Sequence, residues 1–154
     1  MTGRREITGR LDGSGLRVGI AVARFNEYVT GQMLEIALAR LGSLGVKPSD
    51  ITVIWTPGSF ELPLAAKRLA ESPGTDAVIT LGAVIKGETA HFEHIANAAS
   101  LGIARVAEDT GKPIIFGVLT TFNSEQAVAR IGHARGYADA AVEMANAYRE
   151  LGTA

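Results

Sequence analysis

The chain is predicted to form a three-layer α/β/α sandwich around a central parallel sheet, and three observations predict it. Apolar runs of strand length alternate with segments whose apolar residues recur at helical spacing. The strand runs are apolar on both faces, as parallel strands are when helices cover the sheet on two sides. The chain has 154 residues, 47% of them apolar, which suits one domain with a core of ordinary size.

Residues 1–15 read as a loose N-terminal arm, with room for one edge strand around Ile7 and Leu11 before the flexible stretch Asp12-Gly13-Ser14-Gly15. Residues 16–154 read as a single domain. Its first strand is expected over Leu16–Ala23. Asn26 is expected to cap a helix carrying Val29, Met33, Ile36, Ala37, Leu41 and Leu44 on one face, ended by Gly45. Ile51–Trp55 is the second strand, and Pro57-Gly58-Ser59 turns the chain into a helix through about Ala70. Pro63 is tolerated there because first-turn N–H groups have no partner inside the helix. Ala77–Ile85 is an unbroken apolar strand. After the polar loop Lys86–Thr89, a helix from about Ala90 places Phe92, Ile95, Ala99, Ile103 and Val106 on one face, until Gly111-Lys112-Pro113 breaks it. Pro113–Leu119 is the fourth strand. Asn123 and Gln126, three apart, mark the start of a helix to about Ile131. A last helix shows Tyr137, Ala141, Met144, Tyr148 and Leu151 on one face. Four such units give a doubly wound, flavodoxin-like domain. No internal repeat or low-complexity tract interrupts it.

Composition excludes several classes of function. A net charge of −1 gives no positive field to attract nucleic acid or an anionic membrane. Arg4, Arg5 and Arg10 read as part of a solvated arm. No cysteine is present, so disulfides, thiolate metal sites and cysteine nucleophiles are ruled out, which fits a cytoplasmic setting. Neither a signal sequence nor a membrane span is expected.

Ligands of open α/β sheets bind beyond the carboxyl ends of the strands, so four loops carry the functional signal. In the first, Phe25 either stacks on a flat heterocycle or covers a helix end. In the second, Gly58 allows close approach to the backbone, and Ser59 and the N–H groups at the helix start can bind polar edges. Glu61 either accepts hydrogen bonds from a ligand or complements the helix dipole. The third loop is the richest: Lys86, Gly87, Glu88, Thr89 and His91 lie between a buried strand and a helix N-terminus. Backbone N–H groups there, with the Thr89 hydroxyl, suit a phosphate. An imidazole changes charge near neutral pH, which suits His91 to proton transfer. Neither a Walker motif nor G-x-G-x-x-G is present, which argues against a nucleoside triphosphate or dinucleotide. His94, one turn beyond His91, is structural, solvent-facing or half of a weak H-x-x-H metal pair. In the fourth loop, Arg130 is either a surface residue or a bidentate phosphate ligand. No G-x-S-x-G elbow or Ser-His-Asp arrangement is visible. The residues alone point to an α/β domain that binds a small, flat, phosphate-bearing or partly anionic ligand, with one histidine as acid or base.

Arg24-Phe25-Asn26, Pro57-Gly58-Ser59-Phe60-Glu61-Leu62-Pro63, the run Gly82–Glu93 and Phe116–Thr121 together resemble the lumazine synthase family, in order and in spacing, over roughly residues 16–149. The resemblance implies condensation of 5-amino-6-ribitylamino-uracil with 3,4-dihydroxy-2-butanone 4-phosphate to 6,7-dimethyl-8-ribityllumazine, a step of riboflavin biosynthesis. It implies no metal or organic cofactor. By the same resemblance Phe25 stacks on the pyrimidine, and Ser59, Phe60 and Glu61 contact the ribityl chain and nearby polar groups. Val84, Ile85 and Lys86 line the uracil end, Glu88 and Thr89 sit at the phosphate end, and His91 transfers protons. Phe116 and Arg130 would reach in from a neighbouring subunit, with Arg130 on phosphate. The family's sites lie between subunits of a homopentamer, and some members assemble twelve pentamers into a hollow shell.

Two departures from the family pattern stand out. Phe122 occupies a position where many members carry an acidic residue, and the stretch Ile131–Gly136 is shorter than the usual glycine- and lysine-containing loop. Arg135 is the candidate for that loop's basic residue, and His133 is either a ligand contact or a plain loop residue. The competing readings are a non-catalytic shell-forming or flavin-binding protein of the same fold, a pentameric riboflavin synthase, and a flavodoxin. The last lacks the Ser- and Thr-rich phosphate loop it would need after the first strand.

Overall fold

Four strands form one parallel sheet in the computed structural model, which describes residues 3–152: β1 (Val18–Ala23), β2 (Ile51–Thr56), β3 (Ala77–Ile85) and β4 (Ile114–Thr121). Their order across the sheet is β2-β1-β3-β4. Five α-helices connect and flank them: α1 (Glu27–Ser43), α2 (Leu62–Glu71), α3 (His91–Thr110), α4 (Ser124–Ala129) and α5 (Ala134–Leu151). Single 3₁₀ turns at Pro48–Asp50, Ser59–Glu61 and Ile131–His133 complete the elements of the described residues. The expected α/β/α sandwich is therefore the observed one.

Each face of the sheet has its own core. On one face Ile20, Val22, Ile79 and Leu81 pack against Met33 and Leu41 of α1 and the alanines of α5. On the other, Ala21, Val78 and Val118 pack against Leu62 and Leu69 of α2 and Ile103 and Val106 of α3. Burying a Leu or Ile side chain completely contributes about 1.5–3 kcal/mol, and Ile20, Ile79 and Leu81 are all completely buried. Both edge strands are only partly covered: Ile54 and Trp55 of β2 and Phe116 of β4 are exposed. Each edge strand has a hydrogen-bonded neighbour on one side only.

Three local expectations differ from what is observed. The arm adds no strand among the described residues 3–15. It lies on α5 instead: the Asn146 side chain donates to the carbonyls of Arg10 and Asp12, and Gly9 sits where a Cβ would come 1.7 Å from the Glu143 carbonyl oxygen. The buried stripe of α5 is Ala134, Ala138, Ala141, Val142 and Ala145, while Tyr148 and Leu151 of the expected face are exposed. Small side chains let this helix sit close against α1 and the sheet. Arg40 of α1 and Asp139 of α5 reinforce that contact with an ion pair at 2.5 Å. The third difference, at Asn26, bears on the site.

Strand order fixes where a ligand can enter. The chain runs outward from β1 to β2, then crosses back over β1 to β3 and continues outward to β4. The connections from β1 and from β3 therefore leave the sheet in opposite directions, which opens a crevice between the carboxyl ends of those two strands.

Candidate active site

A cleft of about 610 Å³ opens at that switch point. The loop after β1 forms one wall, and its backbone is tied to the loop after β2. The Arg24 N–H donates to the Thr56 carbonyl at 2.7 Å and the Phe25 N–H donates to the Pro57 carbonyl at 3.0 Å. Phe25 lines the cleft and is 71% exposed, so it does not serve as cover for a helix end. Asn26 stands at the N-cap of α1, but its backbone is left-handed (φ 65°) and its side chain makes no capping bond. Its Nδ2 donates instead to the Ala83 carbonyl of β3 at 2.7 Å. Asn26 thus holds the expected N-cap position, but without a side-chain capping bond, because a tertiary acceptor claims the amide.

The loop after β2 supplies Pro57, Gly58, Ser59, Phe60 and Glu61 to the adjoining wall. Ser59 is buried against β3, where a Cβ on Gly82 would come 2.5 Å from its Oγ. Phe60 is 59% exposed. One Glu61 carboxylate oxygen accepts the Gly58 N–H at 2.9 Å, so at least half of this carboxylate serves the helix start. The Thr56 hydroxyl donates to the Gly58 carbonyl at 2.8 Å and steadies the same turn.

Ala83, Val84 and Ile85 form the floor, and Gly87, Thr89 and His91 form the far end. His91 is the first residue of α3 and is exposed; its backbone N–H donates to the Thr89 hydroxyl at 3.3 Å. Phe92 and Ile95 complete an apolar wall. Sequence reasoning assigned these two to the packed face of α3 alone. The signal available was that the apolar stripe of α3 begins in its first turn, beside the candidate loop.

Several expected site residues do not line the cleft of the single chain. Lys86 and Glu88 are exposed in the same loop. The Lys86 backbone N–H donates to the Thr121 carbonyl at 2.9 Å, and its ammonium lies 5.7 Å from the centre of the Phe122 ring. Phe116 projects from the edge strand β4 and is exposed. Arg130 follows α4, is exposed, and donates from Nη1 to the Gln126 carbonyl at 2.9 Å. His133 and Arg135 are exposed near it and do not reach the cleft. His94 is exposed, and among the described residues no three His, Asp or Glu side chains come together as a metal-binding group.

This arrangement offers a slot for a flat ring between aromatic and apolar walls. Backbone polar groups stand at its floor, and the turn into α3 lies at one end with the His91 imidazole beside it. A model of the 6,7-dimethyl-8-ribityllumazine synthase family matches residues 15–149. The chain belongs to the 6,7-dimethyl-8-ribityllumazine synthase family. This lumazine synthase family is a transferase family of riboflavin biosynthesis. The matched span includes every residue that lines the cleft. No helix among the described residues is long and apolar enough to cross a membrane.

Proposed function

We propose that this protein joins 5-amino-6-ribitylamino-uracil to 3,4-dihydroxy-2-butanone 4-phosphate to give 6,7-dimethyl-8-ribityllumazine. The observation that carries the reading is the cleft at the β1–β3 switch point, where eight residues that the family resemblance assigns to substrate meet: Phe25, Ser59, Phe60, Glu61, Val84, Ile85, Thr89 and His91. The uracil amine attacks the ketone carbon of the sugar phosphate, and loss of water gives a Schiff base. Phosphate leaves after a carbon-bound proton is removed. The ribitylamino nitrogen then closes the second ring with loss of another water.

The pyrimidine lies against Phe25, whose exposed face supplies stacking area. Backbone groups at the end of β3 bind its polar edge, and Ser59, Phe60 and the unengaged oxygen of Glu61 face the ribityl chain. Backbone N–H groups in the turn from Gly87 to Ala90, ahead of α3, take the phosphate, with Glu88 and Thr89 beside it. Lys86 adds positive charge at the rim. His91 moves protons between the amine, the Schiff base and the departing phosphate. Much of the acceleration comes from holding two reactants in register, which replaces a bimolecular encounter with an intramolecular one.

Phe116 and Arg130 serve the cleft of a neighbouring copy, Arg130 gripping the phosphate in its bidentate fork. The exposed apolar side chains Ile54, Trp55 and Phe116 on the sheet edges support assembly, because subunit contacts would bury them. A homopentamer, alone or as part of a sixty-subunit shell, is the proposed form, and the cytoplasm the proposed setting.

Release of inorganic phosphate from the sugar phosphate tests the reaction. It should depend on the protein and on the aminouracil together. Phosphate release that ignores the aminouracil, or none at all with both substrates present, would turn the reading towards a binding or shell-forming role.

A further inference from the structure

Among the described residues, Asn26 is the one non-glycine residue with a left-handed backbone, and it follows directly on Phe25. Asparagine tolerates this conformation better than most side chains, but glycine tolerates it best. Backbone geometry alone therefore does not explain an amide here. The side chain explains it: Nδ2 donates to the Ala83 carbonyl at 2.7 Å in a half-buried setting. Ala83 is part of the cleft floor. The bond thus links the wall that carries Phe25 to the floor that would meet the edge of the same ring.

Other bonds hold this wall from different sides. The Phe25 N–H donates to the Pro57 carbonyl at 3.0 Å, and the Thr30 hydroxyl donates to the Ala23 carbonyl at 2.7 Å. These fix the loop to the β2 side and to the start of α1. Asn26 supplies the side-chain link from the loop to β3. The Phe25 ring itself is largely free of packing, so its position depends on its backbone.

We propose that Asn26 is a positioning residue for the aminouracil: its amide clamps the β1 loop to Ala83 and so sets the gap between the Phe25 ring and the β3 floor. This rests on the lumazine-forming reading of the cleft and adds a specificity determinant to it. A pre-set gap lowers the ordering cost of binding a flat ring, so losing the clamp weakens binding of the aminouracil and leaves the sugar phosphate, held at the α3 end, unaffected.

Asn26→Gly separates the clamp from the backbone, because glycine adopts φ 65° freely and has no amide. Asn26→Asp is a second variant that keeps the shape but presents a carboxylate to the Ala83 carbonyl instead of a donor. With wild-type protein active, each variant should raise KM for the aminouracil by about fivefold, the scale of one hydrogen bond. KM for the sugar phosphate should stay within about twofold on the same scale. In a Phe25→Ala background, Asn26→Gly should have little further effect on KM for the aminouracil, since the clamp then has no ring to place. An unchanged KM for the aminouracil, an equal rise for both substrates, or an undiminished effect in the Phe25→Ala background would overturn the role of Asn26. Inactive wild-type protein would instead overturn the functional reading on which it rests.

Discussion

His91 begins a helix whose first turn faces the cleft, and the Thr89 hydroxyl accepts its backbone N–H. Its backbone is thus placed while the side chain stays exposed. Replacing His91 with alanine should lower turnover towards the smaller end of the roughly 10²–10⁴-fold range for acid–base catalysis, since proximity carries much of the rate. Steady-state turnover with unchanged assembly checks this, and full activity would remove His91 from proton transfer. Arg130 is proposed to act in a neighbouring site. Arg130→Ala should raise KM for the sugar phosphate by about tenfold or more, the scale of a charge-assisted hydrogen bond, and leave the aminouracil nearly unaffected. Equal losses for both substrates would count against a phosphate contact. Most of the cleft was legible residue by residue, because its side chains sit in short loops directly after strands. Asn26 was rightly read at the N-cap position because capping is a local signal, but its side chain's actual partner, Ala83, lies 57 positions along the chain and left no such signal.

At the scale of elements, β3 was read to its observed ends because an uninterrupted apolar run is bounded by Asp76 and Lys86. The face of α5 was misplaced for a different reason. Weighing residues by hydrophobic bulk favours Tyr148 and Leu151, but a helix seated close to its neighbours buries alanines. The same closeness occurs where α5 crosses β4. A Cβ on Gly117 would come 2.3 Å from the Thr80 carbonyl oxygen and 2.8 Å from the Tyr137 ring. Gly117→Ala must therefore push the strand or the helix away, at a cost of about 1–3 kcal/mol. Its melting temperature should fall by several degrees, while Gly132→Ala, which meets nothing within 4 Å, should melt like the wild type. Equal melting of Gly117→Ala and wild type would show that the β3–β4–α5 contact has more slack than these distances allow.

For the whole molecule, the order β2-β1-β3-β4 converts a list of loop residues into one cleft, because it brings the ends of β1 and β3 side by side. The alternation of strands and helices made the layers legible. The placement of Phe116 and Arg130 outside this cleft could not be read from periodicity or spacing, since neither pattern carries information about contacts between copies. The proposed assembly gives both residues a use and covers apolar side chains on the sheet edges that the single chain leaves exposed. The measurement that tests the account most directly is the appearance of the lumazine chromophore from the two substrates, compared with a protein-free control. The account predicts formation that scales with the amount of wild-type protein. Formation at the protein-free rate, with folded and assembled protein present, would contradict it.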